Sequence, residues 1–147
     1  MSSAKPVGRI LLSNDDGFDS IGIQILARIA NQLSDNVWIA APMDNKSGAS
    51  RAITLRRDIM VEARGPQQFA IGGTPSDCVI LALKQLMDQK PDLVLSGINA
   101  GMNVADDVLY SGTIAAAMEA TLQGVPAIAL SQRNGGIEQD DFAVATA

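Results

Sequence analysis

The chain has 147 residues, 47% of them hydrophobic and 18% charged, which is enough to bury one globular core and too short for two domains. Eleven basic residues against 16 acidic ones leave a net charge of −5, with no surplus to neutralise a phosphate backbone, so non-specific binding to nucleic-acid polymers is excluded. The absence of histidine removes every mechanism built on an imidazole base, nucleophile or metal ligand, and a single cysteine, Cys78, leaves no intrachain disulfide and no multi-thiolate metal site.

RILLS, residues 9–13, is an unalternating apolar run, as expected of a first strand buried on both faces of a parallel sheet. After NDDGFDS, the spacing of Ile21, Ile25, Ile29 and Leu33 predicts an amphipathic helix with Ser20 as its N-cap. VWIAA, residues 37–41, is the second core strand, reached by a right-handed parallel crossover, and PMDNKSGAS is a polar loop beyond it. Residues 51–73 read as short strands or a hairpin. In TPSD, Thr74 is an N-cap, Pro75 the first helical residue and Asp77 the partner in a capping box, opening a helix that runs to about Met87. Cys78 falls within its apolar pattern and reads as a small buried hydrophobe.

PDLVLS, residues 91–96, is the third core strand, ended by the glycine-rich GINAGMN. Ser111 or Gly112 opens the helix TIAAAMEATLQ, which Gly124 closes; VPAIALS, residues 125–131, is the next strand; EQDDFAVATA begins one more helix. Strands separated by helices of these lengths make one doubly wound, three-layer αβα domain over residues 1–147, Rossmann-like, with a mostly parallel sheet and a short β-hairpin insertion. No apolar stretch approaches the roughly 20 residues of a membrane span, and MSSAKPVGR lacks the apolar segment of a signal peptide, so a cytoplasmic protein without a membrane partner is expected.

Ligands of such sheets bind beyond the carboxyl ends of the strands. The clusters at 14–16, 44–50 and 96–103 each follow a predicted core strand and should meet on one edge. Asp15, Asp16, Ser47 and Asn99 then form an all-oxygen set suited to a hard divalent cation, which would also relieve the repulsion of two adjacent carboxylates. Taken alone, the acidic pair could equally be a solvated turn. Ser111, Gly112 and Thr113 open a helix whose first N–H groups are free for an anion, a phosphate cradle in outline, although an ordinary N-cap on a core helix reads the same way. Asn103 could donate to a phosphate oxygen, while Asp106 and Asp107 suit a helix entry. Neither GK[ST] nor GxGxxG occurs in the required place.

SNDDG (13–17), APMDNKSGAS (41–50), GTPSDCV (73–79), PDLVLSGINAGMN (91–103) and DDVLYSGTIAAAMEA (106–120) together resemble the survival protein E (SurE) family over nearly the whole chain. That resemblance implies a metal-dependent phosphatase acting on nucleoside 5′-monophosphates, in some members also on 3′-monophosphates and polyphosphate. It implies one Mg²⁺ or Mn²⁺ ion per subunit on Asp15, Asp16, Ser47 and Asn99 and self-association as a dimer or tetramer; on the reading of the residues themselves, Asn103 and the Ser111–Thr113 amides would hold the phosphate. With no histidine, the attacking group is either metal-bound water or a carboxylate of the pair, and Asp15 is the candidate base or nucleophile. Ala105 and Ala120 stand where the family usually has glycine. Family chains also run well beyond this length, so a fragment is expected, and a remnant binding nucleotide and metal without turnover is the alternative. A receiver-type signalling domain fits poorly: the third strand ends in serine and asparagine, and VPAIALSQ supplies no lysine.

Overall fold

The computed structural model describes residues 5–133, so the helix expected to begin at 138 lies outside the described residues. The short apolar runs form a six-stranded sheet from β1 (Ile10–Ser13), β2 (Val37–Pro42), β3 (Val61–Gly65), β4 (Gln68–Ile71), β5 (Leu93–Ala100) and β6 (Ala127–Gln132). Their order is β3-β4-β2-β1-β5-β6, with every neighbouring pair parallel except the antiparallel β3–β4 hairpin at one edge. The helices are α1 (Ile21–Leu33), α2 (Pro75–Leu81) continuing into a π-helical turn at Ala82–Leu86, α3 (Asp107–Tyr110) and α4 (Gly112–Leu122).

All four residues of β1 are buried, and strand geometry sends alternate side chains to opposite faces. Ile10 and Leu12 pack with Ile23, Leu26 and Ala30 of α1 on one side, while Leu11 packs with Val79 and Leu83 and with Ala116 and Ala120 of α4 on the other. Two apolar layers therefore need apolar residues at every position of the central strand, which is why the sequence does not alternate there. The buried face of α1 is centred on Gly22, Ile23, Leu26 and Ala30; of the expected stripe only Ile25 is fully buried, and Ile21, Ile29 and Leu33 sit at its border.

The hairpin is a structural part of the sheet, because β4 pairs in parallel with β2 through Ile39↔Gln68 and Ala41↔Ala70. β5 is the larger departure from expectation. Instead of stopping at Ser96 it runs to Ala100, shifting register against β6 so that Asn99 faces Ser131 and Ala100 faces Gln132. GINA reads locally as loop, but β6 supplies the backbone partners that keep it extended, a tertiary effect that overrides weak local preference. Of the remaining ends, α4 stops at Leu122, with the Val125 N–H returning to the Ala120 carbonyl around Gly124.

The capping box at α2 forms as the sequence predicts: Thr74 Oγ1 accepts from the Asp77 N–H at 3.1 Å and Asp77 Oδ2 accepts from the Thr74 N–H at 2.9 Å. Asp77 has a second task, accepting from the N–H of Thr54 at 2.9 Å and from its hydroxyl at 2.7 Å, which fastens the chain entering the hairpin to the helix start. Burial by itself would raise the Asp77 pKa, but the hydrogen bonds from Thr54 and Thr74 outweigh it and hold the carboxyl below its ordinary range. A depressed folded-state pKa contributes stability that is fully present above the unfolded-state value and is lost as pH falls through the folded-state value. Asp77→Ala is therefore expected to lower unfolding free energy by about 2 kcal/mol near neutral pH, and the gap from wild type in urea melts should narrow as pH falls below the ordinary carboxylate range.

Candidate active site

The strand order reverses at β1 and β5: β2 and β4 lie to one side of β1, β5 and β6 to the other. This is the place where the loops after adjacent parallel strands diverge and leave a crevice. The SNDDG turn enters it under the control of Asn14, which is fully buried. Its Nδ2 donates to the Gly17 carbonyl at 2.8 Å and to Ser20 Oγ at 2.8 Å, and its Oδ1 accepts from the Gly17 N–H at 3.3 Å. Ser20 does precede α1, but with its hydroxyl taken up by Asn14 it makes no side-chain cap bond to the helix. Filling the turn from inside leaves Asp15 and Asp16 to project from its rim.

Asp15 is buried, with Oδ1 2.5 Å from the hydroxyl of Thr113; that same hydroxyl lies 3.3 Å from Asn99 Oδ1. A threonine hydroxyl has one proton, so the nearer carboxylate takes it and the asparagine oxygen keeps its lone pairs. The amide orientation of Asn99 is set by its Nδ2, which donates to the Gly101 carbonyl at 2.8 Å. Asp16 Oδ2 accepts from the Ala100 N–H at 3.0 Å. Burial raises the Asp16 pKa, the Ala100 N–H opposes that rise, and the neighbouring charge of Asp15 adds to it. Among the described residues the salt bridges are Lys5–Asp35, Arg9–Asp88 and Arg64–Glu62, so neither Asp15 nor Asp16 has a cationic side chain to offset it.

The loop after β2 is tied to this turn by the Lys46 N–H, which donates to the Asp15 carbonyl at 2.7 Å. Asn45 Oδ1 accepts from the Ser47 N–H at 2.8 Å, so Ser47 and Gly48 are presented at the mouth of a cleft of about 340 Å³. Asp15, Asp16, Ser47, Asn99, Asn103 and Ser111 all line that cleft. Asn103 reaches across to Ser131, donating from Nδ2 to Oγ at 2.6 Å. Ser111 Oγ accepts from the Ile114 N–H at 3.1 Å, so its side chain caps α4 while the residue itself faces the cleft.

Gly112 and Thr113 are buried and are not part of the cleft wall. A Cβ at Gly112 would stand 2.6 Å from Asp15 Cβ and 3.0 Å from Pro75 Cγ. The close approach this glycine permits is thus between α4 and the acidic turn, a different service from the anion approach expected of it. Gly22 does the same on the other face, where a Cβ would lie 2.0 Å from the Ile98 carbonyl oxygen, one residue before Asn99. Sequence reasoning missed the Thr113 hydroxyl, the inward clamp of Asn14, and the cleft positions of Met102, Asp107 and Tyr110. The available signal was the single tyrosine of the chain standing directly before SGT. Asp107 is the first residue of α3, as its acidic character suggests, and also borders the cleft.

The oxygen donors fit a divalent cation: two carboxylates without a cationic partner and an amide oxygen turned inward by its own N–H₂ group. No group of three or more His, Cys, Asp or Glu side chains suited to a metal occurs among the described residues; the cleft brings together the two carboxylates of Asp15 and Asp16 with the neutral oxygens of Ser47 and Asn99. A doubly wound sheet with an acidic, asparagine-bearing cleft at its switch point defines an α/β domain of the class that binds its ligands beyond the carboxyl ends of the strands. The family model for survival protein SurE matches residues 10–147, and the chain belongs to that family. It is 55% identical over 140 residues to 5′-nucleotidase SurE of Rhodospirillum rubrum, covering 93% of this chain and 54% of that protein. Against 5′-nucleotidase SurE of Wolbachia sp. subsp. Brugia malayi it is 50% identical over 131 residues, covering 87% and 52%. The crystal structure of SurE protein from Aquifex aeolicus superposes with a TM-score of 0.83 at 37% identity, over 94% of this chain and 57% of that one. The chain spans about half the length of the curated relatives it matches.

Gly112→Ala is expected to destabilise the fold by about 1–3 kcal/mol through the forced contact with Asp15. The same change should weaken Mn²⁺ binding measured by calorimetry, since the carboxylate must move to admit the methyl group.

Proposed function

We propose that this chain carries the cation- and phosphate-binding part of a phosphatase that hydrolyses nucleoside 5′-monophosphates to nucleoside and phosphate. The names of the related 5′-nucleotidases support the substrate class. The observation that carries the chemistry is the convergence of Asp15, Asp16 and the inward-turned Asn99 oxygen without a cationic side chain among them.

Asp15, Asp16, Ser47 and Asn99 would hold one Mg²⁺ or Mn²⁺ ion per subunit. When bound, the ion neutralises charge on the phosphoryl oxygens as it develops in the transition state. Asn103 and Ser111, which line the cleft at the entry to α4, would meet the remaining phosphoryl oxygens, the asparagine by its amide N–H and Ser111 at the positive end of the helix. The oxygen of the attacking water bonds to phosphorus, the bond from phosphorus to the 5′ oxygen breaks, and the nucleoside leaves as an alcohol. Asp15 takes the proton released by the water and returns it to the 5′ oxygen. An ionised carboxylate offers about four lone-pair sites, so the Thr113 hydroxyl on Oδ1 leaves acceptor capacity for this role. That hydroxyl also keeps Asp15 from rotating between the two transfers.

Tyr110 and Met102 are exposed on the cleft border, at 65% and 50%, and offer an aromatic and a thioether surface to the nucleoside end of the substrate. In the assembled enzyme the chain works as a dimer or tetramer in the cytoplasm. A reducing compartment suits its one buried thiol, Cys78, whose pKa burial pushes well above the ordinary thiol value.

Phosphate release from a nucleoside 5′-monophosphate should require added Mg²⁺ or Mn²⁺, stop with a chelator, and vanish in Asp15→Asn with the circular dichroism spectrum retained. Release that persists in the chelator would overturn the assignment. Tyr110→Ala should raise KM roughly tenfold for the nucleotide while leaving a phosphate monoester without a base unaffected, as loss of one stacking contact requires.

A further inference from the structure

The Ser47 loop and the Leu109–Ser111 turn come from segments far apart in the chain, and among the described residues hydrogen bonds join them only at Ser50. α3 has no buried residue, so packing does not anchor it. Its own hydrogen bonds are local, from the N–H of Asp107 to Val104, of Val108 to Ala105 and of Leu109 to Asp106. Among the described residues, α3 is hydrogen-bonded to the rest of the molecule only through Ser50. The Ser50 hydroxyl donates to the Leu109 carbonyl at 2.7 Å and its N–H donates to the Tyr110 carbonyl at 3.2 Å. Both are terminal carbonyls of a short helix, which have no partner within it.

Ser50 adopts φ +51°, a left-handed conformation that a residue with a Cβ occupies only when its surroundings hold it there. It stands three residues after Ser47, at the exit of the turn closed by the Ala49 N–H on the Lys46 carbonyl. The carbonyls it grips belong to the two residues directly before Ser111. The Ser47 loop and the start of α4 are therefore spaced by one residue that binds neither cation nor phosphate.

We infer that Ser50 is a positioning residue that locks the Ser47 loop to the Leu109–Ser111 turn and so sets the width of the cleft between Ser47 and that turn. The inference rests on the functional reading above for what each side binds, while the lock itself is a property of the chain. A phosphoryl group must meet both sides at once, and a misplacement on the order of 1 Å is enough to lower a rate by about two orders of magnitude. Removing the hydroxyl should therefore depress kcat at saturating metal more than it weakens metal binding.

The test uses the single tyrosine of the chain, Tyr110, which 3-fluorotyrosine labels with one ¹⁹F resonance. Without metal or substrate, Ser50→Ala should sharpen and shift that resonance as the turn comes loose, with the thermal midpoint unchanged within a few degrees. Ser50→Gly, which also lacks the hydroxyl but relieves the left-handed backbone, should give the same change and serves if the alanine variant folds poorly. Nucleotidase kcat should fall about tenfold in both, with Mn²⁺ affinity held within about twofold. A Tyr110 resonance identical to wild type in both variants overturns the inference. A changed resonance in a chain whose wild type shows no metal-dependent phosphate release supports the lock and rejects the functional reading instead.

Discussion

Two carboxylates on consecutive residues, withdrawn from bulk water and with no cationic side chain among the described residues to offset them, are the constraint around which the rest of the domain is arranged. Left in a solvated turn, Asp15 and Asp16 would cost little, but Asp15 is buried and Asp16 half-buried. What tolerates this is a set of donors delivered from elsewhere: the Thr113 hydroxyl on Asp15 and the Ala100 N–H on Asp16. Neither neutralises a charge. The arrangement holds negative potential in place, and a divalent cation between these oxygens would convert that electrostatic load into binding energy.

Each supporting feature can be traced to a local chemical choice. Asn14 fills the turn that carries the pair, because an asparagine side chain can satisfy a neighbouring carbonyl and N–H together. Gly112 lets α4 settle against Asp15, and Gly22 lets α1 settle against the carbonyl of Ile98, so that helices on both faces of the sheet press upon the same pair of strand ends. Thr113 joins the two sides, touching Asp15 after β1 and Asn99 in β5. These strands are neighbours in space through the Ser13↔Ser96 register although 83 residues of chain separate the pair. The doubly wound topology makes this possible, since the strand order reverses between them and no connection crosses the crevice.

The layered fold was legible in the sequence because its evidence is local. Unalternating runs such as ILLS, the TPSD helix start and the Gly124 stop each declare themselves within a few residues, and the order of elements then leaves little choice of architecture. Asp15, Asp16, Ser47, Asn99 and Asn103 also emerged from placing polar loops after core strands and Ser111 from the helix start it opens, and the structure brings all six to one cleft. The extension of β5 to Ala100 was hidden, since GINA has the composition of a loop and becomes strand only because β6 lies alongside.

By itself, then, the sequence determined the α/β class, the chemistry available without histidine, and the acidic and amide oxygens that lead the cleft. The tertiary structure alone decided the tasks of Gly112 and Thr113, which looked like parts of an anion cradle and turn out to pack and hydrogen-bond onto Asp15. It alone decided that Ser50 caps a helix nearly 60 residues away and that Tyr110 borders the cleft. The reason is physical: periodicity, capping and turn preference act between residues close in sequence, whereas a shared proton, a sub-van-der-Waals approach or a tether across loops exists only once the sheet has brought distant segments within a few ångströms.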